Sequence, residues 1–596
     1  MCGVIGYVGH RQAYTVLLDS LARLEYRGYD SCGIAVLDGQ LEIFKDAVRV
    51  ETLSSSLQPI KGTFGIGHTR WATCGKPTKA NAHPHTDCAG NIAIVHNGTI
   101  NNHLHLKKSL QELGHQFTSE TDSEVIAHLI EAHYQGDLVE AVRLSLAEID
   151  GSYAIIAVHL KEQNKLVAAR RGSPLIIGLG QGEYWVASDV PAIMNYTNEV
   201  IYLEEDELAV LTQGGIRLWH GAHEKVPEIK RVEWSPIQAQ KTGYQHFMLK
   251  EIHEQPRILR QSAPLPLTMT EKDSSLINLL ATNHPASLLI LACGTSYHAG
   301  LVAKSLIEDL LGIPVNVELA SEFNYRRRHF TESLALIITQ SGETADALLA
   351  MSRLKQTGVK MIAMTNVPGC TACRLADETW YTGAGPEISV AATKSFIGQL
   401  KTIYQMLLAS SLIDRQLGNR LTISLRLLPS AVQQLLDEQT AIKECARYLA
   451  KFKEILFIGR GLNYPIALEG ALKLKEIAYI SANAYAGGEL KHGPLALLST
   501  ETPVVAIVDN DTAHEAMLTT IREIKVRGAP IIAVTQSKES GLDDFTDFII
   551  PVPDTDSLTS PVVNTVALQL LAYYTALELG CPIDTPRNLA KSVTVE

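Results

Sequence analysis

The 596-residue chain contains no apolar run that reaches the roughly 18 residues a membrane-spanning helix needs. Its first residues lack a basic stretch followed by an apolar one, so no signal peptide is read there. Positive charge is scarce: 52 lysines and arginines stand against 64 acidic residues, a formal charge of -12. That balance excludes the basic footprint of a nucleic-acid binder. Cysteine is also sparse for the length. Nine scattered cysteines, an odd count, do not make the even, closely spaced framework of a small disulfide-stapled domain. The expected setting is a reducing cytoplasm, with no membrane and no nucleic acid as partner. Several sequence signatures are missing too. No G-x-x-x-x-G-K-[ST] is present, so no ATP phosphate loop is read, and "GRG" at Gly459 to Gly461 lacks the rest of a dinucleotide fingerprint. Cys370 and Cys373 form the one C-x-x-C, without a second pair to complete a zinc site, which leaves a redox role open. His83 and His85 in "NAHPHT" have no third ligand at a typical spacing, so hydrogen-bonding turn histidines are expected there. Neither a metal nor an organic cofactor is expected.

What the chain does have is length, about four times the usual size of one domain. An apolar share of 46% with 19% charged residues is ordinary for a globular protein. Through the first 230 or so residues, short β-rich runs such as "NIAIVHNG" and "SYAIIAVHL" alternate with helical stretches such as "SEVIAHLIEAHYQ". This predicts an α+β domain with two sizeable sheets. The stretch from Val232 to Gln245 is polar and aperiodic and reads as a linker. Beyond it the texture changes. "ASLLILACGTS", "SLALIITQSGET", "EILFIGRGL" and "TPVVAIVDN" are continuous rather than alternating apolar runs, the mark of parallel strands buried on both faces. Placing Gly294 over Gly461 aligns two such series. The expected architecture is therefore two copies of a doubly wound α/β domain joined by a helical connector near residues 418 to 445. "DTPRNLAKSVTVE" follows as an aperiodic tail.

Cys2 stands directly behind the initiator methionine. Once Met1 is removed, its thiol and the free α-amine lie on one residue, a known solution to nucleophile activation with the amine as general base. On position alone, an ordinary small residue opening a first strand is the simpler reading. In the first α/β copy, "CGTS" (Cys293 to Ser296) and "TQSGET" (Thr339 to Thr344) sit where a parallel strand hands over to a helix. Free backbone N–H groups, the helix dipole and side-chain hydroxyls favour an anion at such turns, although tight capped loops share the composition. In the second copy Glu469, Lys473 and Glu476 share one helix face. That spacing suits a salt-bridged surface stripe as well as it suits proton transfer. His492 in "AGGELKHGP" adds an imidazole nearby in sequence.

"MCGVIGYVG", "LEYRGYDS", "HTRWAT", "NAHPHT", "HNGTI", "SETDSEVIAHLI", "CGTSYHAG", "QSGETAD", "LEGALKLKEIAYI", "GGELKHGPLAL" and "PRNLAKSVTVE" occur in one order over the whole chain. In that order they resemble the glutamine–fructose-6-phosphate aminotransferase (isomerizing) family, also called glucosamine-6-phosphate synthases. The resemblance implies an N-terminal-nucleophile glutaminase domain of stacked sheets with flanking helices, then two doubly wound sugar isomerase domains. The expected boundaries are a type 2 glutamine amidotransferase domain at 2–231, a linker at 232–245 and isomerase domain 1 at 246–417. Isomerase domain 2 with its leading connector takes 418–586, and a catalytic tail takes 587–596. The implied partners are L-glutamine and fructose 6-phosphate, with a homodimer as the working form.

By the same resemblance, Cys2 attacks the glutamine amide while Asn97 and the Gly98 N–H form an oxyanion hole. Arg70, Trp71, Thr73 and Asp122 bind glutamine, and Arg27 with Trp71 gates an internal ammonia path. Thr295, Ser296, Thr339, Gln340, Ser341, Thr344, Val390, Glu469 and Lys473 surround the sugar phosphate. Lys591 forms a Schiff base with the ketone, His492 assists ring opening, and Glu476 moves a proton between C1 and C2. Three positions depart from the family pattern. Cys74 stands where histidine is common, Ala392 where serine is usual, and Thr339 where serine is common. Two other readings compete with this one. Another N-terminal-cysteine amidotransferase would need an acidic pyrophosphate loop or an "SGGxDS" motif, and the chain has neither. A non-catalytic sugar-phosphate sensor would not need Cys2, Glu476, His492 and Lys591 together.

Overall fold

The computed structural model describes residues 2–163, 165–232, 240–261, 287–326, 334–410, 412–536 and 541–593. The chain forms two compact units, one of Met1–Ala239 with Ala590–Glu596 and one of Gln240–Leu589. The expected removal of Met1, residues 233–239 of the linker and the last three residues of the tail lie outside the described residues.

In the first unit an eight-stranded and a seven-stranded sheet lie face to face. Alternation along the strands decides which side chains meet between them. Strand Gly3–Val8 sends Val4 and Val8 inward against Ile156 and Val158 of strand Gly151–His159, while Ile5 and Tyr7 face outward. The outward face is covered by helix Ala13–Leu24, whose Leu17, Leu21 and Leu24 are fully buried. The far face of the seven-stranded sheet is covered by helices His103–Glu112, Glu124–His133 and Leu138–Glu148. Strand Gly3–Val8 is central in its sheet, paired antiparallel with Phe64–Arg70 and Tyr184–Ala187. Cys2 therefore hangs from the end of a rigid strand.

The second unit contains two five-stranded parallel sheets. Numbered along the chain within each sheet, both run 2-1-3-4-5. The first strands are Leu288–Ala292 and Glu454–Gly459, and every residue of the first is buried. Each leads through a glycine with positive φ, Gly294 (+53°) and Gly461 (+54°), into a helix, Gly294–Leu311 and Asn463–Ala478. The connector is two helices, Arg415–Asp437 and Thr440–Leu449, the first capped by Asp414 accepting from Gln416 N–H and Leu417 N–H. One continuous core links the copies through helices Lys394–Ala409, Asn463–Ala478 and Ser560–Glu578.

Candidate active site

In the first unit the Cys2 thiol is held by backbone. The Trp71 N–H donates to Cys2 Sγ at 3.2 Å, and the thiol donates to the Trp71 carbonyl at 3.5 Å. The Cys2 carbonyl accepts from Asn97 Nδ2 at 2.9 Å and Arg27 Nε at 3.3 Å. Burial pushes the thiol above its ordinary value, against the pull of the chain's terminal ammonium, the Trp71 N–H and Arg70. An acceptor for the thiol proton is thus required before attack. Asn97 and Gly98 lie on strand Ile92–Ile100. Gly98 has φ +139°, and a Cβ there would collide with the Ser152 carbonyl, so this backbone is held only with glycine in place.

Arg70 ends strand Phe64–Arg70 and is 4% exposed. Its guanidinium donates to the carbonyls of Cys74, Gly75 (3.0 Å) and Lys76 (3.2 Å), which fixes the loop carrying the exposed Thr73. At Cys74, then, it is the carbonyl that Arg70 uses, a group any residue supplies. Asp122 is buried and accepts the Ile100 N–H at 2.8 Å. Arg27 is buried; desolvation alone would lower its pKa, but the carboxylate of Asp189, 2.8 Å away, raises it. Asp189 also accepts from Tyr26 at 2.5 Å. Sequence reasoning missed Asp189, since nothing in "ASDVPA" points across 162 positions to Arg27. His83 and His85, expected as hydrogen-bonding turn histidines, are both buried. His83 stacks on His68 with centroids 4.0 Å apart, and His85 meets Thr121 Oγ1 at 3.0 Å. Burial holds His68 down at about 3 and both partners well below the ordinary imidazole value, so all three rings are neutral.

In the second unit the two hydroxyl-rich turns lie side by side, because strands Leu288–Ala292 and Leu334–Ile338 are paired neighbours. Thr295 and Ser296 fall in the first turn of helix Gly294–Leu311, and Thr344 precedes helix Ala345–Lys355. Ser296 Oγ accepts from Gln399 Nε2 at 2.9 Å. Thr339 Oγ1 accepts the Gly342 N–H at 3.2 Å and lies 3.3 Å from Thr344 Oγ1. Ser341 Oγ accepts the Glu343 N–H at 3.1 Å, and the Gln340 carbonyl accepts the Asn366 N–H at 3.0 Å. The buried Val390 donates its N–H to the Asp584 carbonyl at 3.1 Å, and Ala392 is half-buried beside it.

Glu469 and Lys473 are each 1% exposed, which removes the surface-stripe reading. Lys473 Nζ lies 3.4 Å from Glu469 and 2.6 Å from Glu476, and it donates to Thr295 Oγ1 at 3.0 Å. Thr295 in turn donates to Glu469 at 3.1 Å, and His298 meets Glu469 at 2.7 Å. This network joins the first copy's turn to the second copy's helix. Burial alone would lower Lys473, but the two flanking carboxylates raise it; Glu469, which burial would raise, is held low by Lys473 and His298. His298 was not singled out from the sequence, although it shares a helix face with Thr295. His492 stands exposed in the turn Glu489–His492, outside these hydrogen bonds. Lys591 lies in the tail that groups with the first unit.

The chain matches the family model of the glutamine amidotransferase domain over residues 68–195, and that of the SIS domain twice, over 282–409 and 448–579. It is 46% identical over 618 residues to the glutamine–fructose-6-phosphate aminotransferase (isomerizing) of Methanosarcina acetivorans, covering all of both chains. Its identity to the enzyme of that name from Methanothermobacter thermautotrophicus is 46% over 607 residues, again end to end. The chain belongs to the glutamine–fructose-6-phosphate aminotransferase (isomerizing) family. A solved C-terminal domain of glucosamine-fructose-6-phosphate aminotransferase from Francisella tularensis matches at TM-score 0.53 and 36% identity, covering 58% of this chain and 100% of that one. As in the reading from sequence, this member of the glutamine–fructose-6-phosphate aminotransferase family joins an amidotransferase domain to two SIS domains. No helix among the described residues is long and apolar enough to cross a membrane.

Proposed function

We propose that the chain converts glutamine and fructose 6-phosphate to glutamate and glucosamine 6-phosphate. The observation that carries the first half is the Cys2 thiol fixed between the Trp71 backbone and the Asn97 strand. With Met1 removed, the α-amine of Cys2 takes the thiol proton, and the sulfur attacks the glutamine amide carbon. Asn97 and the Gly98 N–H stabilise the oxyanion, and ammonia leaves as the thioester forms. Water then releases glutamate. Arg70 and Asp122 hold the α-carboxylate and α-ammonium, with Thr73 and Trp71 at the rim. Ammonia passes on within the enzyme, with Trp71 and Arg27 as the gate, because bulk water would protonate it.

In the second half the turns at Thr295–Ser296 and Thr339–Thr344 take the phosphate, with Gln340, Ser341 and Val390 alongside. His492 opens the ring and Lys591 forms an imine at C2, which ammonia displaces. Glu476 then carries a proton from C1 to C2, and Lys473 and Glu469 hold its charge state. This places the first step of amino-sugar synthesis in the chain. No organic cofactor enters, since the abstracted proton lies beside an imine. The nine cysteines, all free thiols, suit a reducing cytoplasm, and the resemblance supports a homodimer.

Purified enzyme given glutamine and fructose 6-phosphate should form glucosamine 6-phosphate and glutamate in equal amounts. Cys2→Ala should abolish glutamine hydrolysis and leave sugar isomerisation measurable. Glutaminase activity persisting in Cys2→Ala, or a wild-type enzyme that makes no amino sugar, overturns the reading.

A further inference from the structure

Away from Cys2, the first unit gathers four potential metal ligands: Cys88, His115, His128 and Glu131. They come from three places. Cys88 follows strand His85–Thr86, His115 follows helix His103–Glu112, and His128 with Glu131 occupies one face of helix Glu124–His133. One ligand atom from each lies within 4.8 Å of every other. Cys88 Sγ is 3.7 Å from His115 Nδ1 and 3.6 Å from His128 Nδ1. Glu131 Oε2 is 2.9 Å from His115 Nδ1 and 3.4 Å from His128 Nδ1. A tetrahedral zinc ion with ordinary bond lengths has S···N edges of about 3.6 Å and N···O edges of about 3.4 Å. Three of the four measured edges match, and the fourth is short by the amount expected of a direct contact.

The surroundings are those of a built site. The Cys88 N–H donates to Glu131 Oε2 at 3.2 Å and the Gln116 N–H to Cys88 Sγ at 3.4 Å, so backbone donors face both anionic ligands. His128 is 1% exposed, and its far nitrogen Nε2 is buried without a hydrogen bond, 3.9 Å from Glu124 Oε1. Glu124 is itself fixed by Thr118 and Ser119 through four hydrogen bonds of 2.7 to 2.8 Å. A carboxylate that accepts the far ring N–H is the usual outer partner of a ligating histidine, and Glu124 is placed to take that role once the His128 ring is drawn to a metal. Phe117 packs on the His128 ring with centroids 4.3 Å apart and shields that side.

We propose that Cys88, His115, His128 and Glu131 form a structural zinc site. One thiolate, two imidazoles and one carboxylate suit zinc better than calcium or magnesium, which prefer oxygen donors throughout. All four positions are filled by the chain, so the ion would hold structure rather than activate water. It would tie the turn after "HPHT" and the end of one helix to the helix that begins just beyond Asp122. On binding, the Cys88 thiol gives up its proton to solvent. The set has no compact sequence spacing, because its members are spread over three elements.

The test uses the full-length chain, stripped with a chelator under reducing conditions, then given zinc and dialysed. Elemental analysis should find about one zinc per chain, as one closed site requires. Cobalt in place of zinc should give a tetrahedral spectrum with a thiolate charge-transfer band. Cys88→Ser should remove that band and weaken zinc binding at least about tenfold, the low end of what losing even an outer partner costs. Cys373→Ser should leave zinc content and the cobalt band unchanged, which separates the site from the other thiol pair. Reconstituted wild type without zinc above buffer overturns the proposal. So does a cobalt band that survives Cys88→Ser or vanishes in Cys373→Ser.

Discussion

The two α/β copies share a strand order and even the positive-φ glycine that opens the first helix, yet they bury different chemistry at matching places. With Gly294 over Gly461, Val302 and Leu306 of the first copy fall on Glu469 and Lys473 of the second. All four side chains are at most 1% exposed. One helix keeps its buried face apolar and offers hydroxyls at its first turn. The other gives up apolar contact for a carboxylate–ammonium–carboxylate row, and that row is satisfied by Thr295 and His298 of the first copy. A repeated fold thus supplies the frame twice, while the proposed division of labour, anion holding against proton handling, rests on a few buried positions. Topology alone would not distinguish the copies.

The largest expected effect comes from Glu476, the proposed proton carrier. Glu476→Gln should lower amino-sugar synthesis by about 10²–10⁴-fold, the usual worth of a general acid–base group, while glutamine hydrolysis in the first unit stays normal. The corresponding first-copy carboxylate, Asp309, should tolerate Asn with little change. Equal losses from both substitutions would break the division between the copies.

Next is the buried row itself. Lys473→Met leaves Glu469 and Glu476 without their shared lysine and should cost about 3–5 kcal/mol of stability, measured by denaturant unfolding. The double change Glu469→Val with Lys473→Leu copies the first copy's pair, and replacing a buried ion pair by apolar groups is often close to neutral. It should fold with much of the stability restored while synthesis is lost. A double variant less stable than Lys473→Met would show that the row is structural rather than kept for chemistry.

This contrast also marks what could be read from the sequence. Runs such as "LLILA" and "LALII" announce buried parallel strands because no polar residue interrupts them, and both strands sit inside a five-stranded sheet. The two sheets of the first unit show in its short β-rich runs, whereas their stacking was implied by the family resemblance alone. The spacing of Glu469, Lys473 and Glu476 was plain as well, but their burial was not. A salt-bridged surface helix has the same pattern, and only packing of helix Gly294–Leu311 across that face separates the two. Arg27 with Asp189, and Cys88 with His115, His128 and Glu131, were illegible for a related reason. Their members meet through tertiary folding, with no local spacing to show it.

A smaller effect should mark the anion-holding side. Ser296→Ala with Thr344→Ala should raise the KM for fructose 6-phosphate at least about tenfold, since each hydroxyl bond to a phosphate contributes about 1.5–3 kcal/mol. Basal glutaminase should not move. If the sugar KM is unchanged, the phosphate belongs elsewhere, and the second copy's Arg460 turn is the place to look.

The smallest effect concerns the thiol pair beneath the first copy's turn. Cys370 Sγ and Cys373 Sγ are 2.9 Å apart, and a Cβ on Gly342 would run into Cys370, so the "TQSGET" loop rests directly on this pair. A hydrogen bond from Cys370, outweighing burial and aided by Tyr381, lowers the Cys373 thiol from 9.0 to about 7. The thiolate fraction therefore rises with pH and is nearly complete above about 8, where an ordinary thiol is only about one-tenth ionised. Iodoacetamide labelling of Cys373, followed by peptide mass spectrometry, should climb between about pH 6 and 8 and then level off. Tyr381→Phe removes one donor to the sulfur, 3.6 Å away, and should move the plateau to higher pH. A labelling rate that keeps rising through pH 9.0 without a plateau would mean that Cys370 does not hold the Cys373 thiolate. The loop would then rest on two ordinary thiols.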